Sequence, residues 1–162
     1  ELTVLLLIDV SGSTFFGTNG NLKSEIITEI AAVLSFSAIQ NNDKVGVIFF
    51  SDRVEKYIPP KKGSAHILRI IRELITYKQS ETKTSFDVAF KFMNNVIKKR
   101  CTCFLITDGF GSFDESLQIT TKKHDFSTII IRDTHEDNIP NIGLVRIHDN
   151  ELGDDTPRTK NY

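Results

Sequence analysis

A chain of 162 residues is of single-domain size and long enough to bury a sizeable core. Its 40% apolar and 25% charged residues are those of an ordinary soluble protein, and a net charge of −1 gives nucleic acid or an anionic membrane no electrostatic hold on it. The sequence contains neither an apolar run near the ~20 residues of a membrane span nor a signal-peptide pattern.

The first predicted element is a strand, "LTVLLLID" (Leu2–Asp9). It is continuously apolar rather than alternating, as expected of a strand buried on both faces. A helix follows over Lys23–Gln40, with Ile26, Ile30, Val33, Leu34 and Ile39 near helical spacing and "NND" closing it. "KVGVIFFSD" (Lys44–Asp52) reads as a second buried strand, and "VEKYIPP" as a short edge strand ended by its prolines. Ser64–Tyr77 is an amphipathic helix with Ser64 as the expected N-cap. Ser85–Arg100 is another, placing Phe86, Ala89, Phe90, Met93 and Ile97 on one face.

"CTCFLITD" (Cys101–Asp108) is the third core strand. Its two cysteines, one residue apart, fall on one face of the strand, and a bridge between them would be badly strained. Reduced core thiols are the expectation. Helix "FDESLQITTKKH" and strand "FSTIIIRD" come next, then "GLVRIHD" as a further candidate strand and a polar tail. Strands alternating with helices predict an α/β fold, a Rossmann-like doubly wound, mostly parallel sheet covered on both faces. The expected organisation is one domain over 1–162, with a core over 2–133 and an extension over 134–162, as a fragment of a longer protein.

The chemistry gathers at two predicted strand ends. Asp9 closes the first strand and Asp108 the third core strand, and open α/β sheets bind ligands beyond their strands' carboxyl ends. Facing each other there, the two carboxylates would repel, and nothing basic nearby in sequence neutralises either. A divalent cation would. Ser11 and Ser13 follow Asp9 at alternate positions, so an extended turn can converge their hydroxyls, with Gly12 allowing a tight bend. Carboxylate and hydroxyl are hard donors suited to Mg²⁺ or Mn²⁺. Asp52 lacks hydroxyl company and reads as a turn or cap. His66, His124, His135 and His148 have no ligand spacing and read as surface residues.

Enzyme patterns fit less well. A haloacid-dehalogenase-type phosphatase needs a second aspartate where Ser11 stands, and a receiver domain needs an acidic pair on an earlier strand. A serine hydrolase needs G-x-S-x-G, whereas "DVSGS" has Val10 before the serine. No Walker-type loop is present. A Mg²⁺-dependent phosphatase-like hydrolase and a metal-free scaffold stay as the alternatives to a binding module.

"DVSGS" after a buried strand, "KTSF" opening a helix and "LITDG" ending the central strand together resemble a von Willebrand factor A-type domain over Leu2 to Asp133. In that family these segments form a metal-ion-dependent adhesion site. The resemblance implies Asp9, Ser11, Ser13, Thr84 and Asp108 as metal residues. Thr84 is preferred to Thr82 and Ser85 because the helix pattern begins directly after it. Ser11 and Ser13 would bind Mg²⁺ or Mn²⁺ directly and Asp9 mostly through water. Thr84 and Asp108 would exchange direct for water-mediated contact, and a partner's Asp or Glu would complete the shell. Phe15 and Phe16, in the loop "TFFGTNGN", are candidates for an apolar rim that docks the partner.

More closely, "LSFSAIQNNDKVGVIFFSDRVEKYIPPKKG" resembles the bacterial domain-of-unknown-function family fifty-eight. That resemblance implies a non-enzymatic protein-protein interaction module working with a MoxR-type AAA+ ATPase. It also implies a cytoplasmic domain of a protein anchored in the membrane upstream, with no membrane contact by this segment itself. The familiar sequence continues past Tyr162, so the sheet is expected to lack a last strand.

Overall fold

The computed structural model describes residues 1–12, 20–77, 82–109, 115–132 and 145–146, of which 20–22 and 145–146 by backbone alone. Among the described residues six strands form one sheet: β1 (Thr3–Asp9), β2 (Lys44–Phe50), β3 (Val54–Lys61), β4 (Thr102–Thr107), β5 (Asp125–Ile130) and β6 (Val145–Arg146). The helices among the described residues are α1 (Gly20–Gln40), α2 (Ser64–Thr76), α3 (Phe86–Val96) and α4 (Glu115–Lys123). The order across the sheet is β3-β2-β1-β4-β5-β6. β2, β1, β4 and β5 run parallel, and β3 and β6 are antiparallel edges. The α/β, mostly parallel sheet expected from the sequence is therefore present.

The all-apolar β1 serves two cores at once. Leu6, Ile8 and Val10 pack with Ile27 and Ala31 of α1 and Ile67, Ile70 and Leu74 of α2. Leu5 and Leu7 pack with Phe86, Ala89, Phe90 and Met93 of α3 and with Cys103, Leu105 and Phe126. Alternate residues of a strand point to opposite faces, so a strand covered by helices on both sides must be apolar throughout. Each fully buried large side chain contributes roughly 1.5–3 kcal/mol.

Of the α1 residues expected near helical spacing, Ile26, Ile30, Leu34 and Ile39 pack against the core and Val33 does not. The most buried positions of α1 among the described residues are Lys23, Ile27, Ala31, Ser35 and Ala38, whereas Val33 is exposed. The "NND" closure is a Schellman motif. Asn42 takes a left-handed φ of 59°, its N–H donates to Ile39 O and that of Asp43 to Ala38 O. Asp43 Oδ1 then accepts from Leu2 N at 2.7 Å, tying the starts of β1 and β2 together.

Other boundaries shift for physical reasons. β3 runs through Pro59 and Pro60 to Lys61 rather than stopping at them, because an edge strand can do without those N–H donors. Gly46 of β2 accommodates it: a Cβ there would lie 2.8 Å from Pro60 Cγ. The cap of α2 is Gly63, at φ 98°, and not Ser64, which is already helical. α3 ends at Val96, with Ile97 as an extended cap, short of the expected Arg100. Cys101 and Cys103 are free and buried, as expected. His124 is also buried, contrary to its reading as a surface residue. Of "GLVRIHD", only Val145–Arg146 falls within the described residues, as β6.

Candidate metal centre

β1 has β2 on one side and β4 on the other, so the chain leaves the sheet's centre in both directions from β1. The gap this opens at the carboxyl ends is the usual ligand crevice of such sheets. Asp9 is the last residue of β1, and Asp108 directly follows β4.

Asp9 is fully buried. Its Oδ1 accepts the Ser11 N–H at 3.0 Å and its Oδ2 the Thr107 hydroxyl at 2.7 Å. Burial nevertheless pushes its carboxyl above the ordinary range, and the nearby negative charge of Asp108 pushes the same way, against the lowering by Thr107 and Ser11. Desolvated charge is the reason: hydrogen bonds from Thr107 and Ser11 do not replace the water a carboxylate has lost. A cation placed here would.

The turn after β1 is pinned by backbone. Val10 N donates to Phe50 O at 2.8 Å and Gly12 N to Thr82 O at 3.2 Å. The latter draws the segment before α3 over the turn, and Ser85 N donates to Ser51 O at 2.8 Å to hold its other end. Thr84 Oγ1 then donates to Ser11 Oγ at 2.5 Å. Thr84, preferred above to Thr82 and Ser85, is thus joined to Ser11 by its side chain. Asp9, Ser11 and Thr84 come together, with Asp108 close by. Ser13, Phe15 and Phe16 lie outside the described residues.

Two participants were not foreseen. Thr107 orients Asp9 while accepting from Gly109 N at 3.2 Å; it sits inside an apolar strand, where nothing marks it. Lys23 is the larger correction to the view that nothing basic neutralises the aspartates. Its Nζ stands 3.6 Å from Asp108 Oδ2, with the two side chains 9% and 5% exposed. The available signal was its place near the start of a helix, where the macrodipole disfavours a cation.

Two carboxylates with converging hydroxyls form an all-oxygen donor set, which fits Mg²⁺ or Mn²⁺. Among the described residues no group of three or more His, Cys, Asp or Glu side chains is placed to hold a metal, so ligation here would depend on the hydroxyls. The described histidines lie at the other end of the sheet. His66 Nε2 is 2.8 Å from Val45 O, near the start of β2. His124 Nδ1 accepts from Cys101 N at 3.2 Å and lies 3.3 Å from Cys101 Sγ, just before β4. Burial raises that thiol to about 12 and lowers that imidazole to about 4, so the pair is neutral and not a thiolate–imidazolium dyad. Asp52 is exposed and accepts from Ser51 Oγ at 3.3 Å, as a turn residue would. A 480 Å³ cleft flanked by Asp87 and Lys91 of α3 and Ser116 of α4 contains none of the strand-end residues.

The family described as "Protein of unknown function DUF58" matches residues 1–159. The chain is 24% identical over 157 residues to the uncharacterized protein Rv1480 of Mycobacterium tuberculosis, covering 94% of this chain and 50% of that one. It thus spans about half the length of that relative. It is similar in fold to an aerotolerance-related membrane protein from Bacteroides fragilis, with TM-score 0.59 and 15% identity over 90% of this chain and 82% of that one. It is similar also to the vWF domain of the type V pili tip protein Mfa5 from Porphyromonas gingivalis, with TM-score 0.54 and 14% identity over 68% and 38%. The fold is of the von Willebrand type. No helix among the described residues is long and apolar enough to cross a membrane.

Proposed function

The chain belongs to the DUF58 family of proteins of unknown function, and from that premise we propose that it is a divalent-metal-dependent protein-protein interaction module. Asp9, Ser11, Ser13, Thr84 and Asp108 hold Mg²⁺ or Mn²⁺, and an Asp or Glu of a protein partner completes the shell. The observation that carries this reading is the meeting of Asp9, Ser11 and Thr84, with Asp108 alongside, at the sheet's switch point. Three separate chain segments deliver only oxygen donors there.

The metal supplies positive charge that a partner carboxylate can ligate. The chain's own residues set how strongly. Ser11 and Thr84 are neutral, so their hydroxyls leave the charge of a bound dication largely undiminished. Asp108 is the variable: as a direct ligand it weakens the attraction for a second carboxylate, and through water it does not, which gives two states of different partner affinity. Asp9, held by Ser11 and Thr107, is already oriented. Phe15 and Phe16 supply an apolar rim around the contact. The partner we assign is a MoxR-type AAA+ ATPase, with the domain on the cytoplasmic side of a longer, membrane-anchored protein.

Calorimetric titration of the EDTA-stripped chain with MgCl₂ and MnCl₂, with and without acetate as a stand-in carboxylate, tests the reading. Binding is expected in the wild type, strengthened by acetate and lost in Asp9→Ala and in Ser11→Ala/Ser13→Ala. Absence of heat in the wild type under all four conditions overturns it.

A further inference from the structure

Lys23 and Asp108 form a nearly dry ion pair, with side chains 9% and 5% exposed. Such a pair is a poor device for stability alone, because stripping water from two charges offsets most of their attraction. Two further features make it stranger. Lys23 stands near the start of α1, where the helix dipole works against a cation. Its Nζ–Oδ2 separation of 3.6 Å exceeds the roughly 2.7–2.9 Å of a tight charge-assisted hydrogen bond, so this contact is an ion pair and not a short hydrogen bond. The cation is close to the carboxylate and disfavoured by its own helix.

Asp108 is also one of the two carboxylates assigned above to a dication. An ammonium and a dication a few ångströms apart repel strongly wherever water is excluded. They cannot both lie against one buried carboxylate at low energy. We infer that Lys23 is a tethered counter-ion that occupies the cation position at Asp108 in the metal-free protein and yields it when Mg²⁺ or Mn²⁺ binds. The inference rests on the metal-site reading and adds the regulation of that site. Lys23 keeps the two aspartates from repelling each other before loading and lowers the site's affinity for metal. Its release on loading breaks a tie between the start of α1 and the end of β4, so occupancy changes how α1 is held to the sheet.

Trace labelling of amines with acetic anhydride, read residue by residue by mass spectrometry beside calorimetry of the same samples, tests this on the wild-type chain. In EDTA, Lys23 is expected to label several-fold more slowly than exposed Lys99, and saturating Mg²⁺ should raise its rate toward that of Lys99. In Asp108→Asn it should label rapidly without metal. Lys23→Met should bind metal roughly tenfold or more tightly, the expected effect of removing one like charge at short range, while Lys23→Arg should stay near wild type. Calorimetric binding with unchanged Lys23 labelling overturns the counter-ion role and leaves the metal site standing. No binding by wild type or by Lys23→Met overturns the metal site, and the inference with it. Should Lys23→Met fail to fold, the wild-type labelling decides alone.

Discussion

Thr84 Oγ1 donates a 2.5 Å hydrogen bond to Ser11 Oγ across 73 residues of chain. It joins the segment that opens α3 to the turn that closes β1, and it works in parallel with the backbone bond from Gly12 to Thr82. Thr107 does the same for β4, reaching Asp9 at 2.7 Å across 98 residues. Each hydroxyl therefore arrives at the strand ends already oriented by a neighbour from a distant segment. Preorganisation of this kind lowers the entropy lost when a ligand is taken up.

Thr84→Val keeps the shape and removes the donor. Because Thr84 is exposed, the loss in stability should be modest, about 0.5–1.5 kcal/mol by urea unfolding. Mg²⁺ affinity in calorimetry should fall about tenfold or more, equivalent to at least ~1.4 kcal/mol, and Thr84→Ser should restore most of it. Equal metal affinity in Thr84→Val and wild type would leave Thr84 a structural link only.

Asp9→Asn tests whether the buried carboxylate is a burden without metal. The amide can accept from Ser11 N–H and donate to Thr107 Oγ1, while the desolvated charge disappears. Scanning calorimetry in EDTA should give a melting temperature within about 3 °C of wild type or above it, with metal-induced stabilisation abolished. A fall of more than about 8 °C would make Asp9 a net structural acceptor, as in an ordinary turn.

The sheet and its helices were legible because their signals are local and repeated. Unbroken apolar runs mark doubly covered strands, and Phe86, Ala89, Phe90 and Met93 recur at helical spacing. Asp9, Ser11 and Thr84 were legible because each sits in a short pattern at an element's end. What escaped notice depends on distant partners. Lys23 acquires its meaning only from Asp108, 85 residues on, and no neighbour in sequence announces that pair. His124 looks like the polar end of a helix, yet the chain turns inward there to start β5, and Cys101 N–H finds its ring. Thr107 reads as one more β-branched strand residue until its hydroxyl is seen on Asp9. The exposure of Val33 was missed because apolar residues near helical spacing do not by themselves show which edge of the stripe faces away from the core.

The two thiols should be inert in the folded chain. Burial lifts Cys101 from 9.0 to about 12 and Cys103 well above its usual value. For Cys101, three units reduce the thiolate fraction at pH 8 by roughly a thousandfold, before access is considered. Ellman's reagent should find almost no reactive thiol in native protein at pH 8 and two in guanidinium chloride. A fast native phase of one thiol would show that Cys101 is exposed by local opening near α4.

His124 makes stability fall on acidification. Burial is the main cause of its lowered value of about 4, against 6.5 unperturbed, and neighbouring Lys123 adds to it. Asp125 pulls the opposite way, and Arg100 again lowers it. Between those two values the unfolded chain binds a proton that the folded chain refuses. Stability is therefore full above about pH 6.5, drains as the pH falls toward 4, and levels off below. The gap of about 2.5 units corresponds to on the order of 3 kcal/mol. Asp9 acts in the opposite sense: its raised carboxyl binds a proton more readily when folded, so its contribution is full below 3.8 and is lost as the pH rises above that value. Urea unfolding in EDTA at several values from pH 7.5 to 4.5 should show a steeper decline in wild type than in His124→Asn, whose side-chain oxygen can still accept from Cys101 N–H. Parallel curves for the two proteins would mean that the imidazole is protonated in the folded state and that its surroundings are wetter than its burial implies.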